Sequence, residues 1–400
     1  MDALDLRLLE HTAIRNVTQM DYRVWAELRD TRIIGANELP DLNRLANILK
    51  TEEKQLLGGR SIGLIDDAVN NSDKVKAAVD RYAKIADANN IKVIGKGNKY
   101  YPHIWEYLSG MPPVLFVRGD CNTLRDLDVY GGCSIVGTRD PGRYALYATK
   151  EFSQKLCKKN IVIVSGMALG IDRMAHEACL DVGGRTIAVL PGGCDVIYPY
   201  QNYDIYERIC GTGAVVSEMP PGQEVIKQYF PSRNRLISAL SDVCLVMEAG
   251  QHSGTLHTAS FAANQSRDVF VLPNSIYANN SIGGLELLRD GAEVLIDVDT
   301  VCERIQDSVL DRETEVTECI DDDDIEDLWE RARYDRESLS EEDWKKLICD
   351  ELSERPKNID DICATLGIPF SFLSALVTNL ETEGRIANER GKYVLTIQGG

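Results

Sequence analysis

No stretch of eighteen apolar residues occurs anywhere in the chain, which excludes a membrane-spanning helix of ordinary length. A basic, apolar leader is also lacking. The segment MDALDLRLLE carries acids where a secretory signal needs lysine or arginine, so the sequence predicts a cytoplasmic protein. CxxC spacing is absent among the eleven cysteines, which show no pairing rhythm in a chain of 400 residues. They are expected as reduced, mostly buried thiols. Positive charge is scarce: 44 Lys and Arg stand against 63 Asp and Glu, for a net charge of -19. That balance opposes a nucleic-acid partner, whose phosphates are met by Lys and Arg, until the charges are located. Residues 298–355 hold 8 basic and 22 acidic side chains and so carry 14 of the 19 net negative charges. The acidity belongs mainly to one stretch, around DDDDIED at 321–327, which reads as a self-repelling, solvated spacer.

What remains is ordinary for a globular protein, with 44% hydrophobic residues, 27% charged residues and 31 glycines. The length exceeds what one hydrophobic core usually serves, so several domains are expected. Up to about residue 90 the segments LRLLEHTAI, YRVWAELRD, LNRLANIL and DKVKAAVDRYAKIADAN repeat apolar residues every three or four positions, as amphipathic helices do. From Ile91 the chain reads IKVIGKGNKYYPHIWEYL and GMPPVLFVRGD, a connecting segment or edge strand whose aromatic residues should pack on the next domain. Between 131 and 297 short β-branched runs (CSIVG, IVIVSG, RTIAVLPGG, GAVVSE, DVCLVMEA, RDVFVLP, AEVLI) alternate with helical patterns. Near-continuous apolar strands separated by helices predict an α/β fold with a doubly wound, mainly parallel sheet covered on both faces. Residues 344–400 give three helical segments followed by strand, turn and strand, which is winged-helix order, with Gly367 in the corner and Gly391 in the wing.

In an open parallel sheet, ligands sit beyond the carboxyl ends of the strands. Four polar clusters fall there. Gly137-Thr138-Arg139 follows SIVG, where a glycine admits backbone amides to an anion and Arg139 can make a planar phosphate contact. Ser165, Gly166 and Gly170 lie in SGMALGID at a helix start, the composition of a phosphate nest. Asp172 and His176 stand one turn apart just after it. An acid/base pair is conceivable there, but a capping Asp beside a hydrogen-bonded His is the expected outcome. The third cluster, FPSRNR with Arg233 and Asn234, is preceded by Lys227 and Tyr229. Arginines beside aromatics suit a single strand, although an ion-paired surface has the same composition. The fourth, EAGQHSGT, presents Ser253, Gly254 and Thr255 at another helix start. GxGxxG, GK[ST], GxSxG and zinc-ligand spacings are all absent, so no cofactor or metal is expected. PGG at 191–193, with Tyr198 beyond it, should shape the floor of a groove lined by these clusters.

The blocks SIVGTR, IVSGMALGIDRMAHEACL, GGRTIAVLPGGCDVIYPYQN, VVSEMPPG, FPSRNRLISALSD, EAGQHSGTLHTASFAA and RDVFVLP closely resemble the DNA-processing protein A family, DprA or Smf. The likeness extends through most of the chain. It implies an extended Rossmann-like fold and domains over 1–90 (helical, SAM-like), 91–130 (connecting), 131–297 (Rossmann-like, DNA-binding), 298–343 (acidic linker) and 344–400 (winged helix). It further implies a non-enzymatic protein that dimerises, holds single-stranded DNA and helps load RecA recombinase in natural transformation. Carried onto this chain, strand-binding positions would be Arg139, Ser165, Gly166, Gly170, Lys227, Arg233, Asn234, Ser253, Gly254 and Thr255. Pro191 and Asn274 stand where the family pattern usually has glycine, and GGLELL at 283–288 departs from its usual GxNxLI.

Two rival classes remain open to the residues alone. PGG together with Glu248 and the SGT turn is similar to nucleotide-phosphate hydrolases on a related fold, with Glu248 or Asp172 as the working carboxylate. A transcription regulator acting through the winged helix is disfavoured, because SFLSALVTNL at 371–380 holds no Lys or Arg.

Overall fold

The computed structural model describes residues 3–316, apart from 19, 21, 36, 37, 107 and 279, together with scattered positions between 344 and 395. The chain forms two compact units, Met1–Glu315 and Val316–Gly400. The first is built on one nine-stranded sheet. Its strands are β1 (Ile91–Gly95), β2 (Val114–Gly119), β3 (Gly132–Gly137), β4 (Val162–Ser165), β5 (Thr186–Val189), β6 (Ala214–Ser217), β7 (Val243–Glu248), β8 (Asp268–Val271) and β9 (Glu293–Val294). Their spatial order is β1-β2-β6-β5-β4-β3-β7-β8-β9. All neighbours from β6 to β9 are parallel, whereas β1 and β2 run antiparallel at one edge. The chain steps outward from β3 through β4 and β5 to β6, then returns to β7 on the other side of β3. That reversal makes β3 the switch point, beside which open α/β sheets hold ligands.

Strands β4, β5, β6 and β7 are buried at every residue, which explains their unbroken apolar sequence. Alternation within them still separates two faces. Val136, Val164, Ile187, Val189, Val216 and Val246 pack with α6 (Asn122–Tyr130), α10 (Tyr229–Ala239) and α11 (Thr255–Asn264). Cys133, Ile135, Ile163, Val243 and Leu245 pack with α7 (Arg143–Cys157) and α8 (Ile171–Leu180) on the opposite face. Tyr101 and Trp105, from the expected connecting segment, are buried on the first face.

Two parts of the chain depart from their sequence-based expectation. Helices α1 (Ala3–Thr18), α2 (Tyr22–Asp30), α3 (Leu42–Lys50), α4 (Gly59–Asn70) and α5 (Ser72–Ala88) do not stand apart as a separate domain. Leu9, Ile14, Leu45 and Ile65 share one hydrophobic core with Phe116 of β2, Ala188 of β5, Val215 of β6 and Tyr206 of α9 (Tyr203–Thr212). The helices therefore cover one end of the sheet. At Gly95 a Cβ would lie 2.6 Å from Leu8 Cδ2, so the missing side chain lets α1 sit against β1. The acidic spacer also begins later than expected, because residues 298–316 form α13 (Val298–Val316). Val298, Val301, Cys302, Ile305 and Val309 repeat at helical spacing and are buried against the sheet face that carries α7 and α8. Arg312 and Ser308 of α13 donate to Asp242 Oδ1 at 2.6 and 2.7 Å, fastening the helix beside β7.

In the second unit, Trp344, Ile348, Leu352, Ile362, Leu373, Leu376, Val377, Leu380 and Ile386 form a core. Strand β10 (Ile386–Glu389) pairs antiparallel with β11 (Lys392–Leu395), the hairpin of the expected wing. Gly367 and Gly391 lie outside the described residues.

Candidate nucleic-acid interface

Loops at the carboxyl ends of β3 and β4 interlock through two glycines. A Cβ at Gly137 would lie 2.5 Å from Ile171 Cγ1, and one at Gly170 would lie 2.5 Å from the Thr138 carbonyl oxygen. Gly170 also adopts φ +80°, a conformation that an L side chain resists. The Ile171 N–H donates to Thr138 O at 3.3 Å and completes the junction. At this loop the expected phosphate nest is already occupied by the protein itself. Asp172 turns back from α8, and its Oδ2 accepts from the N–H groups of Gly166 and Ala168 at 3.2 and 3.3 Å. Burial pushes the Asp172 carboxyl above its usual range, opposed by the charge of Arg233 and by these hydrogen bonds. Asp172 thus holds the loop before its helix instead of capping the helix. The Ser165 hydroxyl is buried and donates to Ile135 O at 2.6 Å, so its donor serves β3 and not a ligand.

Helix α10 begins where these loops meet. Arg233, expected as an outward phosphate contact, is only 5% exposed. Its Nη1 donates to Gly166 O and Val189 O, each at 2.5 Å, tying the loops after β4 and β5 together. A Cβ at Gly166 would come within 2.6 to 2.8 Å of the guanidinium, so only glycine leaves room for it. Burial pulls the Arg233 pKa down to about 10, with Asp172 opposing the shift and Arg139 adding to it. The group therefore stays charged at neutral pH. Arg233 Nε donates to Asn234 Oδ1 at 3.1 Å, and Asn234 Nδ2 donates to Gly254 O at 3.4 Å. Ser253 Oγ accepts from the Thr255 N–H at 3.2 Å, which closes the turn into α11. Arg235, the second arginine of the motif, pairs with buried Glu218 at 2.5 Å.

Arg139 is the outward cation. It is exposed, and among the described residues no carboxylate forms an ion pair with it. Its guanidinium carbon lies 5.6 Å from the Phe230 ring centre, and that of Arg233 lies 5.9 Å from the same ring. Lys227 is exposed in the turn before α10, where its carbonyl accepts from the Phe230 N–H at 3.5 Å. The ten sequence-derived positions thus form one connected set around β3, yet they divide in role. Arg139 and Lys227 face solvent; Ser165, Gly166, Gly170 and Arg233 build the loops; Asn234, Ser253, Gly254 and Thr255 join α10 to α11.

The carboxylates of the hydrolase reading are committed elsewhere. Glu248 Oε2 accepts from the Gly142 N–H at 2.7 Å and anchors the start of α7. Asn274 Nδ2 reaches Glu248 Oε1 at 3.4 Å, giving this departure from the family pattern a local use. In GGLELL, which departs from the family's GxNxLI at Leu285 and Leu288, the shared Gly283 lets α12 (Ile282–Arg289) approach the β7 loop: a Cβ at Gly283 would lie 2.4 Å from Gly250 O. His176 does not meet Asp172. Thr186 gives its hydroxyl proton to Ile163 O at 2.7 Å, so His176 Nδ1–H donates to Thr186 Oγ1, also at 2.7 Å. Burial drives the His176 pKa down to about 3 and keeps the ring neutral. Asn202 escaped the sequence reading: fully buried, it donates to Met167 O and Ala168 O at 2.7 and 3.2 Å. The YPYQN block containing it was the available signal.

Residues 92–306 match the family described as DNA recombination-mediator protein A, and residues 335–392 match the DprA winged helix domain. Protein Smf of Synechocystis is 36% identical over 306 residues, covering 73% of this chain and 76% of its own length. DNA processing protein DprA of Bacillus subtilis is 36% identical over 215 residues, covering 54% of this chain and 71% of its own. The X-ray structure of DNA processing protein A from Streptococcus pneumoniae superposes with a TM-score of 0.60 at 27% identity, covering 76% of this chain and 96% of that one.

Proposed function

The chain belongs to the DNA recombination-mediator protein A family, whose members process DNA, and from that premise we propose that it binds single-stranded DNA at the carboxyl ends of β3, β4 and β7 and passes it to RecA recombinase during transformation and recombination. One observation carries the reading: Arg139 and Arg233 flank the half-buried Phe230 ring at the switch point of the sheet. An exposed guanidinium beside an aromatic ring suits a phosphate and its neighbouring base, a pairing tolerant of sequence. Residues 298–355 carry 14 of the 19 net negative charges, so the rest of the sequence is only mildly acidic. The mode of action is binding alone. Fluorescence anisotropy with single-stranded and duplex DNA of equal length, at two salt concentrations, tests it. Preference for the single strand, weakening as salt rises, is the expected result; equal binding of both forms, or no binding, refutes the reading.

The homodimer belongs to the same proposal. Strand β9 ends the sheet, and its Val294 and the nearby Ile296 are 45% and 78% exposed, an apolar edge suited to a second copy. Sedimentation of the purified chain tests this directly. A cytoplasmic location accords with the reading, and no described helix is long and apolar enough to cross a membrane.

A further inference from the structure

Beyond the arginines, the segment that follows β5 sets three exposed tyrosines beside the same loops. Tyr198, Tyr200 and Tyr203 are 42%, 73% and 46% exposed. The Tyr198 ring meets Phe230 edge-on at 5.7 Å, and the rings of Tyr200 and Tyr203 lie 5.7 Å apart. The aromatic surface thus extends from the ring flanked by Arg139 and Arg233 to Tyr198, and the Tyr200–Tyr203 pair follows two residues further along the same segment. It is firmly placed. Asn202, between the tyrosines in sequence, bonds the carbonyls of Met167 and Ala168, and Arg173 Nη1 donates to Gln201 O and Asn202 Oδ1 at 3.1 and 3.0 Å. These bonds fix the segment to the 165–170 loop that Arg233 braces. Carboxylates nearby are engaged: Asp204 pairs with Arg173 at 2.7 Å, and Asp195 accepts from the Gly222 N–H at 2.9 Å.

We propose that Tyr198, Tyr200 and Tyr203 form a base-stacking shelf that carries single-stranded DNA onward from Phe230. This inference rests on the strand-binding reading above and adds where the strand goes. Tyrosine suits the task because its face accepts any base while its hydroxyl stays in water. Loss of one stacking ring weakens binding by roughly fivefold or more. Stacking releases no counterions, so the salt dependence stays unchanged.

The test compares the wild-type chain with Tyr198→Leu/Tyr200→Leu, and with the corresponding Phe variant, on two strands of about 16 nucleotides, a site size typical of single-strand binding. One strand is oligothymidylate and the other is an abasic backbone. The shelf requires the Leu variant to lose at least about fivefold on oligothymidylate and nothing on the abasic strand. The salt slope should be unaltered, and Phe should restore affinity. Wild-type affinity of the Leu variant for oligothymidylate overturns the proposal and leaves the rings to a protein partner. Equal losses on both strands overturn it too, since the rings would then act only by shaping the loop. Failure of the wild-type chain to bind either strand refutes the strand-binding reading itself, and the shelf with it.

Discussion

Two arginines that look alike in the sequence should behave oppositely when removed. Arg233 gives Nη1 to Gly166 O and Val189 O and is almost wholly buried. Hydrogen bonds from a charged donor contribute about 1.5 to 3 kcal/mol each, and carbonyls left without a donor add a desolvation cost. Arg233→Ala is therefore expected to lose about 3 to 5 kcal/mol, a large share of the roughly 5 to 15 kcal/mol that holds a domain folded. Arg139 is exposed, so Arg139→Ala should stay within about 0.5 kcal/mol of wild type. Its effect belongs to binding: removing one phosphate contact from a single strand flattens the slope of log affinity against log salt by about 0.7. Urea denaturation measures the first quantity, and salt-titrated anisotropy measures the second. Arg208→Ala serves as control, because that exposed side chain pairs with Asp181 at 2.9 Å on α9. The reasoning is refuted if Arg233→Ala unfolds at the wild-type urea midpoint, or if Arg139→Ala leaves the salt slope untouched in a folded protein.

Stability should fall in mild acid. The pKa values of His11 and His176 are lowered by burial from 6.5 to about 3, so each contributes stability present above pH 6.5 and lost progressively toward pH 3, at about 1.4 kcal/mol per pH unit. Asp128, raised by burial to about 6, works the other way, stabilising the fold as pH falls from 6 toward its unfolded value of 3.8. Asp172, also raised by burial, acts in the same direction as Asp128. The carboxyls stabilise the fold only below their folded values, whereas both histidines lose stability from pH 6.5 downward, so a net loss is expected at pH 5 relative to pH 7. Urea midpoints unchanged between these pH values would contradict it. Deleting residues 3–88 strips the cover from Phe116, Ala188 and Val215, so the remainder should be insoluble; a soluble, monodisperse product would show that the helices are dispensable. Deleting residues 344–400 should leave strand affinity within a few-fold, since 371–380 carries no Lys or Arg; a hundredfold loss would assign the winged helix to DNA.

The sheet was legible because its strands are buried on both faces, which writes them as unbroken apolar runs such as CSIVG and DVCLVMEA. Strand order was not, since nothing local in IVIVSG says which neighbour it takes. Helix α13 was hidden by averaging. Its apolar residues at 298, 301, 302, 305 and 309 are plain once placed on a helix, but the surrounding acids dominate any composition count. The N-terminal helices were recognised as helices, and their union with the sheet was invisible because an amphipathic stripe does not say what it packs against.

The candidate site shows a sharper limit. Sequence places Asp172 on the helix that follows the glycine loop, where its charge suits the helix end, and only the fold turns the side chain back to fill the nest with the protein's own anion. Within SRNR, successive residues project about 100° apart on α10, so Arg233 turns under the loops, Asn234 toward Gly254 and Arg235 toward Glu218. The motif that looked most like a phosphate clamp is thus largely internal scaffolding. Among the ten sequence-derived positions, exposed charge comes from Arg139 and Lys227, one on the β3 loop and one in the turn before α10, with Phe230 adjoining both. A loop whose amides and arginine are already satisfied needs no ordering when a strand arrives, so binding there draws on a few outward cations and on aromatic surface. On the proposed reading, rigid placement of those few groups, more than the amount of positive charge, would let a chain of net charge -19 hold a polyanion.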